Sequence, residues 1–167
     1  MKKIGIEIKW AFVFIAVCIA WMSVERLLGL HDEHIDKYSF YTNFFSIAAI
    51  GVYVLALLDK RKRYYQGVMT FKQGFISGLI ITLIVVLLNP FVQWFIYSIV
   101  TPDFYQNIIE HFTTSGEMTM EQAENYFKLS NYILRDFVVI PIMGGFSSAI
   151  ISLFVKKKQG KQEKFVR

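Results

Sequence analysis

Four long apolar stretches divide the chain, and each is long enough to cross a lipid bilayer as a helix. They cover about residues 8–28, 38–58, 74–100 and 132–155. The hydrocarbon core of a bilayer requires about 20 mostly apolar residues per helix. Because a membrane-spanning segment must satisfy its own backbone hydrogen bonds, we predict an all-α fold, an integral membrane four-helix bundle that forms a single membrane domain.

The polar segments between these stretches alternate in charge. Basic residues gather at the N-terminus, between the second and third stretches, and in the tail 156–167, whereas the other two connections are acidic. Since lysine and arginine collect on the cytoplasmic side of membrane proteins, this alternation predicts that both termini are cytoplasmic. The basic segments are then expected to contact anionic lipids of the inner leaflet.

Composition agrees with a membrane protein and argues against other classes. Apolar residues make up 54% of the 167 residues, which leaves little chain for a separate soluble domain. The net charge of +5 lies at the ends of the spans rather than along one face, so nucleic acid is not expected as a partner. The sequence offers no strand-turn-helix serine motif and no glycine-rich phosphate loop, and we predict a protein that is not an enzyme.

The segment 101–130 is the only sizeable one between the predicted spans on the outer side. Thr101, followed by a proline and an acid, has the character of a helix cap residue. Apolar side chains then recur on one helical face as far as a break at Gly116. Thr119 and Gln122 have the spacing of a capping box. We predict two short amphipathic helices that cover the outer end of the bundle; alternatively, the first lies in the headgroup plane.

Seven polar side chains fall in the outer halves of the spans, where a buried polar group is costly and is therefore a candidate for function. They are Glu25, Arg26, Asn43, Asn89, Gln93, Arg135 and Asp136. We predict that they converge in a ligand-binding pocket beneath the outer helices, with Arg135 beside Glu25 or Arg26 beside Asp136. The alternative is that the charged side chains reach the headgroup level and are hydrated.

The inner halves of the third and fourth spans hold few polar side chains. In the third span they are Ser77 and Thr82. Because a conduction path needs polar lining throughout, this weakens the hypothesis of a small-solute or ion transporter or channel, whose route would use Asn89, Gln93 and Arg135. The alternative is a pore between subunits.

Small residues recur at intervals of four in the third and fourth spans, at Gly74, Gly78, Gly144, Ser148 and Ser152. Such stripes allow helices to approach closely in a membrane. They predict helix contacts either within one bundle or between copies in a homo-oligomer.

A third pattern is the run His31-x-x-His34, followed by Asp36. If this run is helical, the two imidazoles share a face, and imidazoles beside carboxylates suit zinc or another divalent metal. It therefore supports the hypothesis of a metal-dependent membrane enzyme with His31, His34 and Asp36 as ligands. The alternative is a solvated turn whose histidines only respond to external pH.

Several short motifs, in order along nearly the whole chain, resemble one known family. They include Lys9-Trp10, LLGLHDEHIDK at 27–37, LALLDKR at 55–61, MTFKQG at 69–74 and TPD at 101–103. The chain is similar to the small membrane proteins grouped as domain of unknown function 4199, found mainly in Bacteroidota. The resemblance implies a four-span protein of the bacterial inner membrane and supplies no catalytic residues.

We therefore expect a non-enzymatic membrane component that binds a partner or ligand at its outer face. Besides lipid, the partner would be another membrane protein or a second copy of the chain. No resident cofactor is expected apart from the metal of the alternative hypothesis.

Overall fold

The computed structural model describes residues 4–157, and nearly all of that part of the chain is helical. The helices are α1 (Gly5–Leu27), α2 (Ile35–Tyr41), α3 (Phe45–Arg63), α4 (Phe71–Phe95), α5 (Phe104–Thr114), α6 (Met120–Phe127) and α7 (Leu129–Val155). A 3-10 segment, Thr42–Phe44, joins α2 to α3, and a π-helical segment, Ile96–Val100, continues α4. Most of the predicted basic tail, residues 158–167, lies outside the described residues.

Four helical stretches are long and apolar enough to cross a membrane, which confirms the predicted all-α architecture. They are Gly5–Leu27, Ile35–Arg63, Phe71–Val100 and Leu129–Val155. Each begins about three residues before the predicted start. At the first span the reason is Glu7, whose side chain is buried against other helices instead of marking the end of the apolar run.

Two ends of the bundle are distinguished by what lies there. We call the end with Lys60–Arg63, Lys156 and Lys157 the basic end. The opposite end, where α5 and α6 pack on α1 and on the π-helical segment, we call the cap end. The helices α5 and α6 are the two short helices predicted between the third and fourth spans.

Helix α4 holds the bundle together because it packs on α7 most extensively and also contacts α1 and α3. The small residues of α4 and α7 meet across this interface: Gly74 faces Ser152, Gly78 faces Ser148 and Gly144 faces Thr82. A Cβ atom added at Gly78 would lie 2.6 Å from Cβ of Ser148, which is closer than such atoms approach. These residues therefore serve packing within one chain rather than between copies.

Of two helix starts predicted from the sequence, one is confirmed and the other is wrong. The capping box of Thr119 and Gln122 is present at the start of α6, as predicted. The prediction that Thr101 caps α5 was wrong: α5 begins at Phe104 without a side-chain cap, and Thr101 instead hydrogen-bonds His31. Thr101 is buried, so its hydroxyl needs a partner inside the protein rather than at a helix end in water.

Candidate functional site

A cavity of about 400 Å³ lies between α1, α3, α4 and α7, in the half of the bundle nearer the cap end. Its walls are mostly apolar, with side chains such as Phe14, Val85 and Ile140. On one wall the rings of Phe14, Phe45 and Tyr53 pack edge to face, with centroids 5.8–5.9 Å apart. Apolar walls with a few polar groups are typical of binding sites for small molecules.

The polar groups of this cavity form one cluster around Asp136. Asn89 and Gln93 are four residues apart on α4, so their side chains lie on one face of the helix. The amide of Asn89 donates to Oδ2 of Asp136 over 2.9 Å, and the amide of Gln93 donates to the same oxygen over 2.6 Å. Two N–H donors stabilise a carboxylate that is partly withdrawn from water.

The cavity opens sideways between α3 and α7. Ile50 on α3 and Val139 and Met143 on α7 line it, yet their side chains are 44–57% exposed. Because α3 and α7 belong to membrane spans, these exposed apolar side chains would face lipid chains in a bilayer. The cavity therefore joins the apolar surroundings of the protein to the carboxylate of Asp136.

The structure brings four of the seven predicted polar residues to this cavity: Asn43, Asn89, Gln93 and Asp136. The amide of Asn43 donates to the carbonyl oxygen of Ser39, one turn earlier, over 2.6 Å. Asn43 therefore lines the cavity without joining the cluster around Asp136.

The other three predicted residues lie elsewhere. Glu25 accepts from Trp21 and pairs with His31, whose Nε2 lies 3.3 Å from Oε2 of Glu25. Arg26 donates to the carbonyl oxygen of Val100, which the end of the π-helical segment leaves without a helical partner. The guanidinium of Arg135 lies over the ring of Tyr132, 4.2 Å from its centroid. The structure does not form the pairing of Arg135 with Glu25 or that of Arg26 with Asp136.

The predicted metal ligands do not come together. His31 is buried and its Nδ1 lies 3.1 Å from Oγ1 of Thr101, while His34 and Asp36 are exposed. The run is not helical at His31, because Gly29 has a positive φ of 73° and turns the chain there. Within residues 4–157 no group of three or more histidine, cysteine or acidic side chains has the arrangement of a metal site. The geometry thus gives no support to the metal hypothesis.

The cap end is filled by aromatic rings. Tyr105 of α5 lies 4.4 Å from Tyr97 and 5.6 Å from Tyr132, measured between ring centroids. Burial, and then the neighbouring Tyr132 and Tyr38, raises the pKa of the Tyr105 phenol well above its ordinary value. This packing joins the π-helical segment, α5 and α7 at the cap end.

A second polar cluster, which the sequence did not predict, lies at the basic end. Lys60 Nζ lies 2.8 Å from Oε1 of Glu7, and both side chains are almost fully buried. The hydroxyl of Ser77 donates to the same carboxylate over 2.6 Å. Glu7 could have been noticed as a charge inside an apolar run. Its partner could not be inferred, because Lys60 belongs to a run of four basic residues.

These features define a multi-pass membrane protein with an apolar cavity between its spans and one polar cluster in that cavity. The chain belongs to the family described as Protein of unknown function (DUF4199), whose family model matches residues 9–157. No curated protein and no solved structure matches the chain. Any assignment of function therefore depends on the geometry of the site.

Proposed function

We propose that this protein is a non-enzymatic membrane component that binds an amphipathic, lipid-like ligand in the cavity between α3 and α7. The observation that carries the proposal is the sideways opening of an apolar cavity of about 400 Å³. The polar cluster around Asp136 lies in the wall of this cavity. This volume falls within the range of about 300–1,000 Å³ of ligand pockets. A ligand with an apolar chain and a polar end would match both parts of the cavity.

The proposal includes an orientation in the bacterial inner membrane. The basic end would face the cytoplasm, because lysine and arginine collect on that side, and there it would contact anionic lipid. The cap end would face outward. The cavity would then open at the level of the outer leaflet, so that a ligand could enter it directly from that leaflet.

Binding is favoured over transport by the packing below the cavity. There the hydroxyl of Tyr53 lies 2.7 Å from that of Thr82, and Leu57 and Ile81 are fully buried beside them. This layer separates the cavity from the Glu7–Lys60 pair at the basic end. A transported solute would have to pass through it, and such a path needs polar lining.

Replacing Met143 by tryptophan is expected to obstruct the opening of the cavity. We expect the variant to fold normally and to retain lipid about tenfold less well than the wild type, equivalent to about 1.4 kcal/mol. The measurement is native mass spectrometry of protein extracted in mild detergent, combined with thermal unfolding in the presence of added membrane lipid.

The matched control is Ile142→Trp, since Ile142 is 63% exposed on the same helix and does not line the cavity. Equal lipid retention by the two variants and the wild type would contradict the proposal. Flux assays in proteoliposomes address transport, and we expect vesicles that contain the protein to stay sealed to ions and small solutes.

A further inference from the structure

The cavity carries a charge that its own walls do not neutralise. Of the residues that line it, Asp136 is the one with a charged side chain. Arg135 precedes it in sequence, but the guanidinium of Arg135 lies over the rings of Tyr132 and Tyr126. The immediate partners of the Asp136 carboxylate are therefore two neutral amides.

The other acidic side chains of the spans that are not exposed lie beside basic residues. Within residues 4–157, Glu7 pairs with Lys60, Asp59 pairs with both Lys9 and Arg63, and Glu25 contacts the imidazole of His31. Asp136 has no basic side chain within salt-bridge distance among the described residues, although a charge that faces an apolar cavity is costly. A carboxylate in this environment is suited to bind a cation.

The aromatic wall of the same cavity favours the same ligand chemistry. The rings of Phe14, Phe45 and Tyr53 line it together with Asp136. Aromatic faces attract cations, most strongly where water is excluded. The apolar remainder of the cavity would accept a hydrocarbon chain but not a free inorganic ion.

We propose that the ligand is an amphiphile with a cationic ammonium head, which pairs with the carboxylate of Asp136 while its chain extends between α3 and α7. This inference rests on the proposed function, because it specifies the ligand of the same cavity. It specifies that the head of the ligand is positively charged and that its hydrogen-bonding partner is Asp136, both of which the proposed function leaves open.

The test uses the full-length protein in lipid nanodiscs and three amphiphiles with the same chain: dodecylamine, dodecyltrimethylammonium and dodecanol. We expect dodecylamine to bind the wild type about tenfold or more tightly than dodecanol, because its ammonium head is attracted to the Asp136 carboxylate as an opposite charge, whereas a hydroxyl can only hydrogen-bond it. If the trimethylammonium compound binds at least as tightly as dodecylamine does, that result would show that the aromatic rings bind the cationic head. Both results support a cationic head, whereas equal binding of dodecylamine and dodecanol overturns it.

Variants at Asp136 test the role of the carboxylate. Asp136→Asn is expected to lose the preference for both cations while still binding dodecanol, and Asp136→Glu is expected to keep the preference. The matched control is Asp36→Asn, since Asp36 is exposed outside the cavity. A preference that persists in a folded Asp136→Asn protein overturns the proposal. If Asp136→Asn does not fold, the comparison of amphiphiles on the wild type decides alone.

Two further outcomes separate this inference from the proposed function. If none of the three amphiphiles binds and Met143→Trp retains lipid normally, the proposed function itself fails. If sodium chloride without an amphiphile stabilises the wild type as much as dodecylamine does, and Asp136→Asn removes that effect, the site takes an inorganic cation. In that case the ammonium proposal is overturned.

Discussion

Replacing Lys60 by methionine is expected to lower the free energy of unfolding by about 3–5 kcal/mol, because the Glu7 carboxylate then stays buried without its cation. Lys60 Nζ lies 2.8 Å from Glu7 Oε1, and both side chains are 3% exposed. The hydroxyl of Ser77 would remain as a donor to that carboxylate but supplies no charge. The effect is measured by unfolding of the purified protein in detergent micelles.

The control for this prediction is Lys62→Met, because Lys62 is an exposed residue of the same basic run. Its stability is expected to equal that of the wild type. The double variant Glu7→Gln with Lys60→Met removes both charges and is expected to recover most of the loss. Equal stability of Lys60→Met and Lys62→Met would show that the buried pair does not stabilise the fold.

Replacing Gly78 by alanine is expected to destabilise the protein by about 1–3 kcal/mol through overpacking of the interface between α4 and α7. The added Cβ would lie 2.6 Å from Cβ of Ser148 and 3.4 Å from its Cα. The helices would have to separate, since the position of Ser148 Cβ is fixed by its backbone and side-chain rotation cannot move it away. The expected loss opposes helix propensity, which favours alanine over glycine by about 1 kcal/mol.

Gly51→Ala provides the matched control, because a Cβ atom at Gly51 would meet nothing within 4 Å. Gly51 lies inside α3, so helix propensity acts on it in the same direction as on Gly78. We expect unchanged or slightly higher stability for Gly51→Ala, and partial rescue of Gly78→Ala by Ser148→Gly. Similar behaviour of Gly78→Ala and Gly51→Ala would contradict the close packing of α4 on α7.

The parts of this structure that depend on local patterns could be predicted from the sequence. The spans follow from runs of apolar residues, and the start of α6 follows from the spacing of Thr119 and Gln122. The positions of Asn89 and Gln93 on one face of α4 follow from helix geometry. Their shared partner Asp136 was among the predicted residues of the pocket, and the fold brings it to them from α7.

The parts that depend on how distant helices pack could not be predicted. Glu7 and Lys60 are 53 residues apart, and nothing local distinguishes Lys60 from the basic residues that follow it. The buried pair at the basic end therefore could not be inferred from the sequence. Arg135 was expected beside Glu25, but the tyrosines that attract it belong to the packing of the cap end.

The histidine run shows how one residue can redirect a motif. The spacing of His31 and His34 suits a shared helical face, but Gly29 turns the chain and His31 enters the protein alone. There it lies between Glu25 and Thr101, with its ring 5.0 Å from that of Phe104. Its contacts join α1 to the segment before α5, which is a structural role.

The most direct test of ligand binding in the cavity is a structure of the protein in a lipid nanodisc prepared from native membrane. We predict elongated density that enters between Ile50 and Met143 and ends within hydrogen-bond distance of the Asp136 carboxylate. Ordered water alone in the cavity would contradict lipid-like binding. Direct contact between α3 and α7 along the half of the bundle nearer the cap end would contradict it as well.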